Sequence, residues 1–295
     1  MTKTNKFITL FTLFITASTI FVHAQGALKN SRIKTIIVDA GHGGTDHGAR
    51  GSYSTEAEIT LQLASKVDIL LRQELPDTRI VMTRTTDVYH NPREKANIAN
   101  KENGDLFVTI HVNAALAKKV VTGYKSVAYY KGKGANRKKY YKKVPVYRSI
   151  PNPAKGTSTY VWAADRYDEK AKGIAEDERF ESAAEVMDIP DVNSPEAVIK
   201  SRLWSQKFFK NSVRLGSMIE EEFVNIGRKS AGVLQRNHMG IWVLQATNMP
   251  AVLIETGFIT NKEEEDYLNS EEGQDEMSNA IVNAIIKYKK LIDAK

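Results

Sequence analysis

Two histidines and two glutamates stand beside apolar runs in this chain, and those residue types can hold a divalent cation and work with it. Ile36 to Gly51 reads IIVDAGHGGTDHGARG: a buried-strand run ends in Asp39, and a glycine-rich turn then presents His42. A second apolar run, Leu106–Ile110, is followed directly by His111, and a third, Ala251–Ile254, by Glu255. Glu56 opens a helical pattern between the first two. Two imidazoles and one carboxylate are a sufficient ligand set for a catalytic zinc ion, with a fourth position left to water.

Each histidine alone has an ordinary reading, as a surface residue in a glycine turn or a buried, capping side chain. Their shared placement at strand ends, where ligands gather in open α/β sheets, favours ligation by both. Glycines around His42 let the backbone come close and adopt positive φ. The third ligand is Glu56 or Glu58. Thr55-Glu56-Ala57-Glu58 matches a capping box in which Glu58 reaches back to Thr55. That occupies Glu58 and leaves Glu56 in the positive first turn, ionised and free to meet a metal.

Glu255 is suited to carry a proton from an attacking water to a leaving amine. A salt bridge or helix cap is its bland alternative, but an idle acid at the end of a buried run is costly. No glycine-flanked serine elbow competes, and the chain has no cysteine. His47 and His238 could line the site without ligating, and His90 falls in a loop.

Regular elements must bring these residues together. Ile33–Asp39, Arg79–Thr83, Leu106–Ile110, Thr157–Ala163, Ile241–Leu244 and Ala251–Ile254 read as strands. Helices are expected at Glu56–Glu74, Pro92–Lys101, from Ser194-Pro195 to about Ile226, and from about Gln274 to Tyr288. Apolar strands alternating with amphipathic helices predict an α/β fold: a mixed, mostly parallel twisted sheet with helices on both faces. No internal repeat is evident.

The middle of the chain departs from this pattern. Between Asp105 and Asp165 there is no acidic residue, while lysines, arginines and six tyrosines crowd an insertion from about Ala114 to Lys155. Acids then dominate from Asp165 to Asp191, within a segment reaching about Arg202. Adjacent basic and acidic insertions suggest mutual pairing or two opposed surfaces.

Residues 1–24 resemble an export leader, with Lys3 and Lys6 before an uncharged run and a small-residue cleavage site at Val22-His23-Ala24. An uncleaved anchor is the other reading, but the run is short for a full span. Removing a leader at that site leaves residues 25–295 as one catalytic domain with no membrane anchor. The net charge is then +5 instead of the full chain's +7. This weakly favours an anionic polymer or surface as partner, and export disfavours nucleic acid. Without cysteine, the exported protein must rely on its core, and its metal on His, Asp or Glu.

Taken together, VDAGHGG with DHGARG, EAEITLQLA, TRTTD, REKANIAN, DLFVTIHVNA, GTSTYVW and MPAVLIETGFITNKEE resemble the zinc-dependent N-acetylmuramoyl-L-alanine amidases of the type-3 amidase family. The resemblance runs from about Thr35 to Lys290. It implies zinc at His42, Glu56 and His111, with Glu255 as the catalytic glutamate. The substrate implied is peptidoglycan, cut between N-acetylmuramic acid and the first L-alanine in wall remodelling or daughter-cell separation, outside the cytoplasm. Some exported members carry a helix that covers the zinc until a protein activator removes it. The acidic segment here resembles that place, in which case Glu176 or Glu178 would be the autoinhibitory carboxylate; a solvated acidic loop is its other reading. His47 departs from the family's usual proline, and the basic insertion is longer than in compact members. That insertion is either a solvated excursion or a docking element for wall polymer or membrane headgroups. Two rival functions remain: a catalytically silent relative that binds peptidoglycan or a division partner, and a zinc carboxypeptidase acting on stem peptides.

Overall fold

A computed structural model describes residues 32–162, 166–175, 194–236 and 241–294. Six strands form one sheet: β1 (Thr35–Ala40), β2 (Arg79–Met82), β3 (Leu106–Asn113), β6 (Thr157–Val161), β7 (Ser230–Gln235) and β8 (Ala251–Phe258). Their spatial order is β2-β1-β3-β8-β6-β7. The first four run parallel, β6 pairs antiparallel with β8, and β7 runs parallel to β6.

Alternation along the strands assigns two apolar faces. Ile36, Val38, Val108, Ile110, Val252 and Ile254 pack into one core, while Ile37, Phe107 and Leu253 belong to the opposite one. The first core is covered by α1 (Glu56–Glu74), α4 (Pro195–Asn225) and α7 (Glu271–Asp293), through Leu63, Phe223, Ile281 and their neighbours. The second lies under α2 (Pro92–Lys101) and α5 (Trp242–Ala246). Burying each large apolar side chain contributes about 1.5–3 kcal/mol, which fixes the register of these strands. The expected α/β architecture is the observed one.

Helix starts follow local chemistry. Thr55 and Glu58 close a capping box on α1, and Asn91 and Glu94 close another on α2, where Pro92 opens the first turn. Ser194 caps α4, whose first residue is Pro195. Among the described residues no helix is long and apolar enough to cross a membrane.

Several expectations are corrected. Ile241–Leu244, read as a strand, is the approach and first turns of the short helix α5. Four apolar residues do not distinguish the two states, and here Val243 and Leu244 bury as a helix against the sheet. Ser230–Gln235 was not anticipated as a strand. Gly232, at φ 76°, interrupts its pattern beside an irregularity in its pairing with β6. The terminal helix expected at about Gln274–Tyr288 is present and longer, as α7, and a further helix that the sequence does not predict, α6 (Lys262–Asn269), precedes it and meets it at Ser270. The basic insertion forms a two-stranded antiparallel arm, β4 (Lys118–Lys131) with β5 (Lys138–Ile150). Most of the acidic segment lies outside the described residues; its described part includes α3 (Tyr167–Ala175), packed against α4 and α5.

Lys170 of α3 is buried and donates 2.6 Å hydrogen bonds to the carbonyls of Leu244 and Thr247 at the end of α5. Burial pulls its ammonium pKa down to about 7. The unfolded value is about 10.4, so between about pH 7 and 10 the folded state binds fewer protons than the unfolded one. Stability should therefore rise with pH across that window, by up to about 1.4 kcal/mol per pH unit, and Lys170→Met should lack the rise. Urea unfolding of both proteins at pH 7 and 9 measures it. Equal pH slopes would show that the two carbonyls keep Lys170 charged.

Candidate metal centre

His42 leaves the end of β1 on a turn that reverses the chain within a few residues. Its own φ is 56°, and Gly43 and Gly44 follow at 128° and 58°. A non-glycine residue in the left-handed region is sparsely populated and persists where its surroundings hold it. Here Gly41 N donates to Ile110 O at 2.9 Å, and Gly43 and Asp46 exchange backbone hydrogen bonds. The imidazole is oriented from behind by Asp46, whose Oδ2 lies 2.8 Å from His42 Nδ1 while its Oδ1 accepts from Gly48 N. That leaves His42 Nε2 facing Glu56 Oε2 at 3.1 Å.

Glu56 is the first residue of α1, and Glu58 is taken up by the cap. The buried Glu56 carboxylate accepts from Ala49 N at 2.8 Å and Val112 N at 3.0 Å. His111 Nδ1 lies 2.9 Å from its Oε1. Burial opposes the charge, but the two imidazoles outweigh it and hold Glu56 far below the usual carboxylate range. His42 is also disfavoured as a cation by burial, yet Glu56 and Asp46 raise its pKa overall. The two rings meet edge to face with centroids 4.9 Å apart.

His111 lies within β3 instead of just beyond it, because that strand continues to Asn113. Glycine at position 41 makes room for it: a Cβ there would stand 2.6 Å from the His111 ring. The strand β8 likewise continues past Glu255, which is level with His111 in the parallel register. Immediately beyond, two steps along β3 match three along β8, a bulge of the kind found beside active sites. Glu255 is buried, and its Oε2 has no hydrogen-bond partner. Burial pushes its carboxyl pKa up, more than nearby His111 pulls it down. A buried, partnerless carboxylate oxygen level with an imidazole is an expensive arrangement unless something else meets it.

Two sets of residues with no assigned role in the sequence reading hold this geometry. Beneath the turn, Lys95 of α2 pairs with the buried Asp39 at 3.0 Å and donates to the carbonyls of Ala40 and His42. Asp39 also accepts from the hydroxyls of Thr83 and Thr109. Burial opposes its ionisation, but Lys95 and these hydroxyls lower its pKa overall. Arg84 donates to the carbonyls of Ala40, Gly41 and Ala57. Ahead of Glu56, the fully buried Glu265 accepts from the amides of Ser52, Tyr53 and Ser54. Burial works against its charge, yet those amides bring its pKa down to about 2. Glu265 sits in a run of three glutamates that looks solvated, and only its distant partners reveal its role.

A cavity of about 150 Å³ opens on His42 and His111, with His90, Ile241 and Trp242 among its walls. His90, read as a loop residue, therefore belongs to the rim of the centre. His47 is exposed, while His238, Glu176 and Glu178 lie outside the described residues.

Fold and cluster define the class: an α/β protein in which the turn after β1, the strand β3 and the start of α1 bring two histidines and a buried glutamate to one point, where their ligand atoms all lie within 4.8 Å of one another. Residues 36–287 match the Amidase_3 family, described as N-acetylmuramoyl-L-alanine amidase, and the chain belongs to that family. Its reaction is hydrolysis of the amide that joins N-acetylmuramic acid to L-alanine in peptidoglycan. The chain is 27% identical over 276 residues to the N-acetylmuramoyl-L-alanine amidase AmiA of Salmonella typhimurium, covering 90% of this chain and 80% of that protein. It is 28% identical over 256 residues to the uncharacterised protein YqiI of Bacillus subtilis, covering 86% and 84%. Among solved structures, an N-acetylmuramoyl-L-alanine amidase from Clostridium difficile 630 superposes with a TM-score of 0.52 at 24% identity, covering 88% of this chain and 97% of that one. Ami1 of Mycobacterium smegmatis gives 0.54 at 15%, covering 87% and 97%.

The buried ion pair under the turn yields a stability prediction. Lys95→Met, which strands the Asp39 charge, should cost about 3–5 kcal/mol. The double variant Asp39→Asn/Lys95→Met should recover a substantial part, because no buried charge is left alone. Denaturant unfolding of the singles and the double gives the coupling. Simple additivity would mean that the pair does not act as a unit.

Proposed function

We propose that His42, Glu56 and His111 hold a zinc ion and that Glu255 moves the proton when this chain hydrolyses the N-acetylmuramoyl–L-alanine amide. The observation that carries the reading is the partnerless, buried Oε2 of Glu255 beside a compact cluster of two imidazoles and a carboxylate. The donor set fits zinc in kind, since imidazole nitrogen and carboxylate oxygen are both ligands that zinc takes. Zinc in that position supplies Lewis acidity, which polarises the scissile carbonyl and eases deprotonation of the attacking water.

The chain's own residues do the rest. Glu255, its pKa already raised, takes a proton from the water and returns one to the departing amine of L-alanine. The water oxygen ends on the lactyl carbon, the C–N bond breaks, and the glycan keeps a carboxylate. Asp46 holds the His42 ring, and the amides of Ala49 and Val112 hold the Glu56 carboxylate, so neither has to reorganise during turnover. Ile241, Val243 and Trp242 give the cavity an apolar wall against which the sugar or lactyl group rests.

The substrate lies outside the cytoplasm, which agrees with the leader-like residues 1–24, and we place the working protein there. The CwlD amidase of Clostridioides difficile, a structural neighbour, is known in complex with the GerS lipoprotein. That is a parallel for the protein activator expected here.

Purified protein incubated with muropeptides should release stem peptide beginning with L-alanine, identified by mass, and chelator should stop it. Release of a terminal amino acid would identify a carboxypeptidase; no product from zinc-loaded protein would favour the silent relative or an autoinhibited enzyme. His42→Ala and His111→Ala should lose both zinc and turnover. Glu255→Gln should keep zinc and lose about 10²–10⁴-fold in kcat, the scale of a lost general base. Loss of zinc in that last variant would reassign Glu255 as a ligand.

A further inference from the structure

The arm β4–β5 is exposed along both faces and is connected at the edge of the metal centre. β3, which carries His111, runs into it, and it returns to β6, where Ser158 pairs with Glu255. Its base is fastened to the domain: Ala115 N donates to Thr260 Oγ1, Asn261 Nδ2 to Ala154 O, and Gly156 N to Glu264. Beyond the base it is a free ribbon, and strands of this length reach on the order of 40 Å.

Residues 118–150 hold eleven lysines and arginines, six tyrosines and no acid. Among the described residues none of those cations makes an ion pair within the protein. The antiparallel register sorts them onto both faces. On one, Tyr129 and Tyr140 stack at 5.6 Å between Lys131, Lys138 and Lys142. On the other, Arg137 lies 4.3 Å over Tyr130 and Lys139 5.3 Å over Tyr141. All six tyrosines are at least 42% exposed, where a lone two-stranded ribbon gains little from its own packing.

We infer that this arm binds a glycan strand already stripped of its stem peptides, the polymeric product of the chain's own reaction. The inference rests on the amidase reading for the identity of that polymer. Hydrolysis leaves a carboxylate on each muramic acid it frees and removes the peptide that crowded the sugar ring. The strand so formed is a uniform polyanion with bare pyranose faces. A purely cationic arm complements the first property, and flat aromatic rings, which accept weakly positive C–H groups on their faces, complement the second. Intact wall is the poorer match, because its peptide branches shield the sugars. A membrane is also a poorer match, since an interfacial element presents one apolar and one charged face. This arm mixes both on each side. Bound product beside the centre keeps the enzyme on strands it has begun to strip.

Capture on beads carrying covalently immobilised glycan strands, either with their stem peptides or exhaustively stripped of them beforehand, tests this with the full mature chain. The Glu255→Gln protein should favour the stripped polymer, and added salt should weaken the binding. Introducing Tyr129→Ala/Tyr140→Ala, or Lys138→Gln/Lys139→Gln/Lys142→Gln/Lys143→Gln, should lower affinity by roughly tenfold or more. With Glu255 intact, the same arm variants should turn over a soluble muropeptide at the wild-type rate, which shows that they fold and separates failure of the arm from failure of the catalytic reading. The inference is overturned if the arm variants bind stripped glycan as the parent does, or if intact wall is bound equally well. It is likewise overturned if phosphatidylglycerol vesicles or an oligonucleotide are the ligands whose binding the arm substitutions abolish.

Discussion

A charged pair buried at the end of β1 holds the His42 turn from below. Asp39 stands where β1 stops, and Lys95 reaches it from α2, crossing from one layer of the fold to another. Desolvating both charges is expensive, and the pair breaks even only because each remaining polar group has a partner. Thr83 beyond β2 and Thr109 on β3 supply hydroxyls to the acid, while the carbonyls of Ala40 and His42 receive the ammonium. Three neighbouring strands, one helix and the turn are thereby tied to a single point. Arg84 adds a second cation to the same backbone, so the carbonyls that point inward from the turn are satisfied without water.

With the turn held, the remaining geometry follows from rigid elements. His111 and Glu255 are level on neighbouring strands and share one face, so their separation is set by sheet geometry and not by loop conformation. Glu56 is fixed by a helix start, and that start is fixed by a loop whose three amides converge on Glu265 of a distant helix. Sites built this way hold their geometry better than sites carried on free loops. The strain at His42 is local and is opposed on every side: Asp46 behind the ring, Glu56 ahead of it, and Lys95 on its carbonyl.

His42, His111 and Glu255 could be singled out because each lies in or just beyond the end of an apolar run, and a run long enough to cross the core can end in only a few places. The capping box at Thr55 was equally legible, being a local pattern, and it separated Glu58 from Glu56. What the residues concealed was long-range. Asp39 reads as a strand terminator until Lys95 is seen beside it. Glu264 and Glu265 stand in a run of acids that does not reveal their partners, although Glu264 is paired with Arg228 and Glu265 organises the loop before Glu56. The strand at Ser230–Gln235 and the helix at Trp242–Ala246 are short, and tertiary burial decided them where periodicity could not. The arm was visible only as composition. Its hairpin register came from pairing, since lysine and tyrosine recur on both faces and no apolar side marks the strand.

Sheet topology explains why the arm and the centre are neighbours. Strands β1, β3 and β8 run parallel and present their carboxyl ends on one edge, where ligand-binding residues collect in such folds. β6 reverses direction beside β8, so its first residues meet the last residues of β8 on that same edge. Joining the end of β3 to the start of β6 therefore needs only a short bridge along the rim. The 33-residue excursion from Lys118 to Ile150 is surplus to connectivity, and its own faces bury little that would repay ordering it. On our inference the arm has its use in what it touches outside the domain, and its root lies beside the strands that carry His111 and Glu255.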